Sequence, residues 1–173
     1  MLTPDQQKWI DHLSDTKTVS IVPYDSTCEE KYLKVKETIQ RVFGMDQDVI
    51  HSGASALKIS GQDEIDIYVP VPAAEFDRAV ERMMTIYGEP KSRYPLKRSR
   101  FTIELDSKHI DIFVINKDDA GWTDNIVKFH AYLLSHPSEL DRYRRLKEEL
   151  DGQTVREYYR RKTEFINEIL AMS

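Results

Sequence analysis

Two hydrophobic periods alternate along this chain, and the changes between them mark its strands and helices. Thr3 precedes Pro4 and Gln6, a capping box with proline at the first helical position, so a short helix is expected there. Val19-Ser20-Ile21-Val22 alternates as a short strand that stops at Pro23. Thr27 and Glu30 make a second capping box. The stripe Tyr32, Val35, Ile39, Val42 and Phe43 then predicts an amphipathic helix ending at Gly44. Residues 48–51 read as a brief strand, followed by the small-residue stretch Ser52-Gly53-Ala54-Ser55-Ala56. From Glu64 to Val71 the period is two again, with Ile65, Ile67 and Val69 on one face. Pro72 opens a helix that turns Phe76, Ala79, Val80 and Met83 inward and ends at Gly88 and Pro90. Residues 101–105 and 109–115 alternate on either side of Asp106-Ser107, the pattern of a hairpin. Beyond Asn116 the period is helical. Pro137 opens one helix, Asp151-Gly152 closes it, and Thr154 with Glu157 caps the last. The expected fold is α+β: a small mixed sheet with helices on one side and a C-terminal helical segment. The 173 residues suit a single domain over 1–173, with a core over 17–116 and helices over 117–173 packing on it.

Composition narrows the function classes. With 40% hydrophobic and 32% charged residues, the chain has the balance of a globular protein in water. A net charge of −5 argues against long nucleic acid as a partner. Basic residues are nevertheless concentrated locally, at Lys91, Arg93, Lys97, Arg98 and Arg100 and along the C-terminal helices. Cys28 is the one cysteine, which excludes an intrachain disulfide and fits a reducing compartment. Its neighbours Glu29 and Glu30 disfavour a reactive thiolate. No stretch approaches the ~20 apolar residues that span a bilayer, and the first residues lack a signal-peptide pattern, so no membrane partner and a cytoplasmic location are expected.

The candidate chemistry is acidic. Glu64 and Asp66 share one strand face, and Asp111 joins them if the second strand pairs beside the first. Clustered carboxylates repel unless a cation lies between them, and their hard oxygens suit Mg²⁺ or Mn²⁺. The competing explanation is a solvated face of an antiparallel sheet. Gly53 permits close backbone approach to a phosphate, with hydroxyls from Ser52 and Ser55. His51 ends the strand beside this turn and is expected either to serve the site or to anchor the turn. His109 is expected to face away from Asp111. Trp122, Phe129, Tyr132, Leu133, Tyr143 and Tyr159 fall at helical spacing and read as core.

A series of motifs resembles one family. Val22-Pro23-Tyr24-Asp25 is similar to its strand-ending Pro-Tyr-Asp. His51-Ser52-Gly53-Ala54-Ser55-Ala56 is similar to its His-x-Gly-Ser-Thr-Ala, and Ile65-Asp66-Ile67 to its Ile-Asp-Ile. Trp122, Phe129-His130-Ala131-Tyr132-Leu133-Leu134 and Pro137 follow its Trp, Phe-Arg-x-Tyr-Leu-Arg and Pro; Tyr143, Leu146-Lys147, Tyr159, Lys162 and Phe165 follow its C-terminal pattern. From about Val19 to Leu170 the chain resembles the GrpB family, a branch of the nucleotidyltransferase superfamily that includes DNA polymerase β. Three departures stand out. Ala54 replaces the serine whose hydroxyl is usually aimed at the triphosphate. Leu57-Lys58-Ile59 replaces Val-Pro-Gly. Glu64 and Asp111 are acidic where many members carry an apolar residue and a second histidine.

The resemblance implies a sheet of the nucleotidyltransferase type and transfer of a nucleotidyl group from a nucleoside triphosphate, ATP in the first instance. The acceptor would be a hydroxyl or phosphate on an unidentified small molecule or protein. Glu64, Asp66 and Asp111 would be the catalytic, metal-holding residues. Glu64 with Asp66 would hold one Mg²⁺ (or Mn²⁺), and Asp66 with Asp111 a second, roughly 3.5–4 Å away. Ser52, Gly53, Ala54, Ser55 and Lys58 would meet the triphosphate. Arg98 or Arg100, with Arg93 and Lys97, would neutralise it or bind an acidic acceptor; a solvated basic loop is the alternative. Two further readings stand beside the enzyme: an inactive nucleotide-binding or regulatory module, which Ala54 favours, and a protein-interaction module using the C-terminal helices, with helix pairs such as Glu157–Arg161.

Overall fold

The computed structural model describes residues 1–119, 121 and 123–172, so the expectation for Trp122 lies outside the described residues. In chain order the elements are α1 (Pro4–Asp11), α2 (Cys28–Phe43), β1 (Ile50–Ser52), α3 (Gly53–Ala56), β2 (Glu64–Val71), α4 (Phe76–Tyr87), β3 (Ser92–Tyr94), β4 (Arg98–Leu105), β5 (Lys108–Asn116), α5 (Phe129–Ser135), α6 (Pro137–Glu149) and α7 (Val155–Leu170). They fall into two compact units. One comprises Tyr24–Lys58 and Asp63–Thr123, the other Met1–Pro23, Ile59–Gln62 and Asp124–Ser173.

The first unit is a five-stranded mixed sheet of order β1-β2-β5-β4-β3. β2 and β5 run parallel at its centre, and the remaining pairings are antiparallel. Burial dictates this arrangement. Ile65, Ile67 and Val69 of β2 and Ile110, Ile112 and Val114 of β5 are fully buried, as period two requires of one face. α2 and α4 cover that face with Tyr32, Val35, Ile39, Phe76, Val80 and Met83. Burying such side chains contributes about 1.5–3 kcal/mol each. Asp106 and Ser107 both take positive φ, 50° and 62°, the twist a two-residue hairpin loop needs between β4 and β5.

Local chemistry explains two departures from the expected elements. The box at Thr27 does not form: Asp25 Oδ1 accepts both the Thr27 N–H, at 2.9 Å, and the Thr27 hydroxyl, at 2.8 Å. Asp25 orients the hydroxyl, and its oxygen accepts from Lys31 Nζ at 2.5 Å instead of from a backbone N–H of α2. The segment 19–22 is not a strand. Isolated bridges stand at its ends, Thr18 to Thr154 just before it and Val22 to Gly61, and no ladder extends from either. Val42, placed on the apolar stripe of α2, is exposed.

The second unit is helical. Thr3 and Gln6 form the expected capping box on α1, and Thr154 accepts from the Glu157 N–H at the start of α7. Val19, Leu150 and Tyr158 are buried together with Ile21, Leu146, Val155 and Tyr159 packed around them. Glu157 pairs with Arg160 at 2.6 Å rather than with Arg161, and Arg144 pairs with Glu148 at 2.6 Å. These are solvated contacts within single helices. Among the described residues, no helix is long and apolar enough to cross a membrane.

Candidate active site

The sheet face opposite α2 and α4 carries the acidic residues, and register sets their order. Asp66 of β2 stands directly opposite Asp111 of β5, with Ser52 of β1 opposite Asp66 and Thr102 of β4 opposite Asp111. The neighbouring row is Glu64 of β2, His109 of β5 and Glu104 of β4. The next row in the other direction holds Tyr68, Phe113 and Arg100, with Tyr68 and Phe113 stacked at 5.1 Å between ring centroids. Parallel pairing of β2 with β5 is what makes this arrangement. It sets the two Ile-Asp-Ile segments side by side, so that all their isoleucines enter the core and both aspartates emerge on the far face.

Asp111 is firmly held. Only 8% of its side chain is exposed, its Oδ1 accepts from the Thr102 hydroxyl at 2.6 Å, and Arg100 Nη1 lies 3.4 Å from its Oδ2. Asp66 meets the turn after β1. Gly53 has φ +72° and packs so tightly on the Asp66 carboxylate that a Cβ there would fall into it; even the Asp66 Cγ would be 3.2 Å away. Glycine is therefore required at position 53 for two independent reasons.

His109 corrects the sequence reading. It lies on the same face as Asp111, not the opposite one, because residues two apart on a strand point the same way. Its Nδ1 is 2.9 Å from Glu104 Oε1 and its Nε2 is 3.5 Å from Asp111 Oδ1. Burial opposes its charge, but the hydrogen bond it donates to Glu104 and the nearby Asp111, Glu104 and Glu64 carboxylates outweigh it and raise the imidazole pKa. One donor atom each from Glu64, His109 and Asp111 lie within 4.8 Å of one another, a set able to hold a metal ion. The sequence reading offers Glu104 and Thr102 no role and assigns His109 to the wrong face. The hairpin itself could have shown them: with a two-residue loop at Asp106-Ser107, counting back pairs Glu104 with His109 and Thr102 with Asp111.

The expected phosphate-binding residues are only partly brought together. Ser52 and Ser55 are both buried, and the Ser55 Oγ is 2.9 Å from His51 Nε2. His51 also lies 3.4 Å from Glu29 and stacks on Tyr32 at 4.7 Å, tying α3 to α2. Arg98 shares the face of Arg100 by alternation along β4, but lies over the Tyr94 ring at 5.0 Å. Arg93 pairs with Asp77 of α4 at 2.8 Å, which removes it from the acidic face. Lys58, exposed with φ +56°, ends the α3 turn. The Cys28 thiol is buried, and that burial pushes its pKa up.

A mixed α+β fold with carboxylates converging on the open face of its sheet is the class that fold and site define together. A family model described as GrpB protein matches residues 18–172, and the chain belongs to that family. It is 26% identical over 151 residues to the UPF0157 protein of Vibrio cholerae, covering 87% of this chain and 79% of that one. It also superposes on the crystal structure of the conserved protein GrpB from Enterococcus faecalis with a TM-score of 0.69 and 18% identity, over 88% of this chain and 95% of that chain. A cytoplasmic RNA terminal U-transferase superposes at a TM-score of 0.40 with 13% identity over 84% of this chain and 47% of its own, too slight a likeness to bear on chemistry.

Proposed function

We propose that this chain is a metal-dependent nucleotidyltransferase, moving a nucleotidyl group from a nucleoside triphosphate, ATP in the first instance, to a hydroxyl or phosphate acceptor on a small molecule or protein. The observation that supports this most is the pairing of Asp66 with Asp111 across parallel strands, with Glu64 and His109 in the adjoining row and Gly53 seated on Asp66. Three carboxylates, Glu64, Asp66 and Asp111, on one open sheet face cost free energy by mutual repulsion, and a divalent ion offsets that cost. The donor set fits such an ion: carboxylate oxygens suit Mg²⁺ or Mn²⁺, and an imidazole nitrogen suits transition ions. Glu64, Asp66, Asp111 and His109 would hold it. When bound, it would supply positive charge against the triphosphate.

The protein's own residues do the rest. The Thr102 hydroxyl fixes the Asp111 carboxylate, and Arg100 lies close enough to share its charge between Asp111 and a phosphate. The backbone at Gly53 and Ala54 lines the approach to Asp66, and Lys58 follows one turn on. The acceptor oxygen bonds to the α-phosphorus as the bond to the leaving pyrophosphate breaks, and the acceptor proton passes to a carboxylate of the cluster. A specific observation favours the second reading, a module that binds nucleotide without turnover: Ala54 offers no hydroxyl, and the buried Ser55 hydroxyl is engaged by His51.

Calorimetric titration of ATP, GTP, CTP and UTP with and without Mg²⁺ or Mn²⁺ tests the proposal. Metal-dependent binding by the wild type that is absent in Asp66→Ala is the expected result. Binding of no triphosphate under any metal condition sinks it, and binding without incorporation into any acceptor selects the module.

A further inference from the structure

His109 is engaged in two directions at once. Its register partner on one side is Glu64 of β2, and on the other Glu104 of β4. Nδ1 lies 2.9 Å from Glu104 Oε1, while Nε2 lies 3.5 Å from Asp111 Oδ1. With Nδ1 donating its N–H to Glu104, the Nε2 lone pair points into the space shared with Glu64 and Asp111. This is the carboxylate–histidine arrangement that orients imidazole ligands at metal centres, where the outer carboxylate sets the tautomer and raises the basicity of the ligating nitrogen. The donor atoms of Glu64, His109 and Asp111 lie within 4.8 Å of one another. That is close to the span across one divalent ion, whose bonds to such donors run about 2.0–2.2 Å.

We infer that Glu64, His109 and Asp111 form a mixed nitrogen–oxygen site for a transition-metal dication, with Glu104 as the residue that positions the imidazole. The inference rests on the metal-dependent reading above and changes its donor set: an imidazole enters, and Asp66, which stands one row away opposite Asp111, is not needed to hold this ion. Imidazole is a poor ligand for Mg²⁺ and a good one for ions such as Zn²⁺ and Fe²⁺; Mn²⁺ accepts both nitrogen and oxygen. The site therefore selects a transition ion over Mg²⁺, whereas three carboxylates alone would not. Ion binding displaces a proton from the His109 imidazole wherever the ring is charged.

The test uses the full chain stripped of metal and titrated with Mn²⁺, with free ion followed by electron paramagnetic resonance and the bound ion by pulsed measurement of nitrogen coupling. Wild type is expected to bind Mn²⁺ in preference to Mg²⁺ and to show coupling to one imidazole nitrogen. Glu104→Gln is expected to weaken Mn²⁺ binding on the order of tenfold, and His109→Gln by at least as much with the nitrogen coupling lost. Asp66→Asn should keep the coupling. His109 is 41% exposed, so its replacement should leave the circular dichroism spectrum and thermal midpoint unchanged. Mn²⁺ bound without nitrogen coupling, insensitive to His109→Gln and abolished by Asp66→Asn, would overturn the inference and leave the carboxylate reading standing. Failure of wild type to bind Mn²⁺ with or without ATP would overturn both.

Discussion

Asp66 and Asp111 face each other across adjacent parallel strands, each flanked by isoleucines that are completely buried. The core therefore fixes where the two carboxylates emerge, and neither can leave the face without moving an isoleucine out of the core. The relationship has a direct consequence for mutation. Asp111→Asn keeps an oxygen to accept from Thr102 and keeps its volume, but loses its charge toward Arg100 and toward any cation. Metal affinity is expected to fall on the order of 10–100-fold while the thermal midpoint moves by only a few degrees. Calorimetry with Mn²⁺ beside a thermal melt checks both. An unchanged affinity would remove Asp111 from the site.

Gly53 supplies a second test. An alanine there meets both a φ of +72° and the Asp66 carboxylate. Gly152 has nearly the same φ, +75°, with nothing within 4 Å of an added Cβ. Gly152→Ala should cost the backbone term alone, about 1–2 kcal/mol, and leave metal and triphosphate binding intact. Gly53→Ala should cost more and displace Asp66, so that triphosphate binding falls as well. Equal binding by the two variants would show that the contact between Gly53 and Asp66 is not required.

Much of this could be read from the chain before any coordinates. The boundaries Glu64–Val71 agree with the structure, as do the inward residues Phe76, Ala79, Val80 and Met83, because alternation and helical period report burial directly. The mixed sheet follows from the same signal, whereas the pairing of the two acidic strands stands in the sequence only as a condition, which the parallel β2–β5 ladder meets. Less was legible where a side chain had a choice of partner. Thr27 had two, and only the fold decides that the Asp25 carboxylate takes its hydroxyl. Arg93 and Arg100 look alike in sequence, yet one is held by Asp77 on the helix side and the other approaches Asp111. His109 was legible and misread, since period two places it with Asp111.

His130 carries a pH dependence. Burial lowers its pKa, and its Nε2 is buried without a hydrogen-bond partner. The unfolded chain takes up a proton near pH 6.5 that the folded protein resists, so this histidine's contribution is fully present above that pH and is lost as pH falls below it. The urea midpoint of the wild type should therefore drop between about pH 7.5 and 5.5 more steeply than that of His130→Gln. Parallel curves would show that His130 is protonated as easily folded as unfolded.

Lys108 joins two acidic residues to the start of the site. Its side chain is 8% exposed, with Nζ bonded to Asp63 and 3.0 Å from Asp25. Asp63 has φ +64° and immediately precedes Glu64, so this ammonium pins the entry of β2. The Asp25 carboxyl is held well below its ordinary range, first by the Thr27 N–H and hydroxyl and then by Lys108. A carboxyl held low stabilises the fold above its unfolded pKa, near 4, and that contribution is lost as pH falls through the folded value. Lys108→Met leaves both carboxylates without their cation. They are partly exposed, at 35% and 52%, so solvent recovers some of the loss, and the expected cost at neutral pH is about 2 kcal/mol, less than for a fully buried pair. The difference between wild type and Lys108→Met in urea unfolding should shrink as pH is lowered below about 4, when protonation removes the charges that Lys108 serves. A difference that stays constant with pH would mean that Lys108 acts through its packed aliphatic stem and not through its charge.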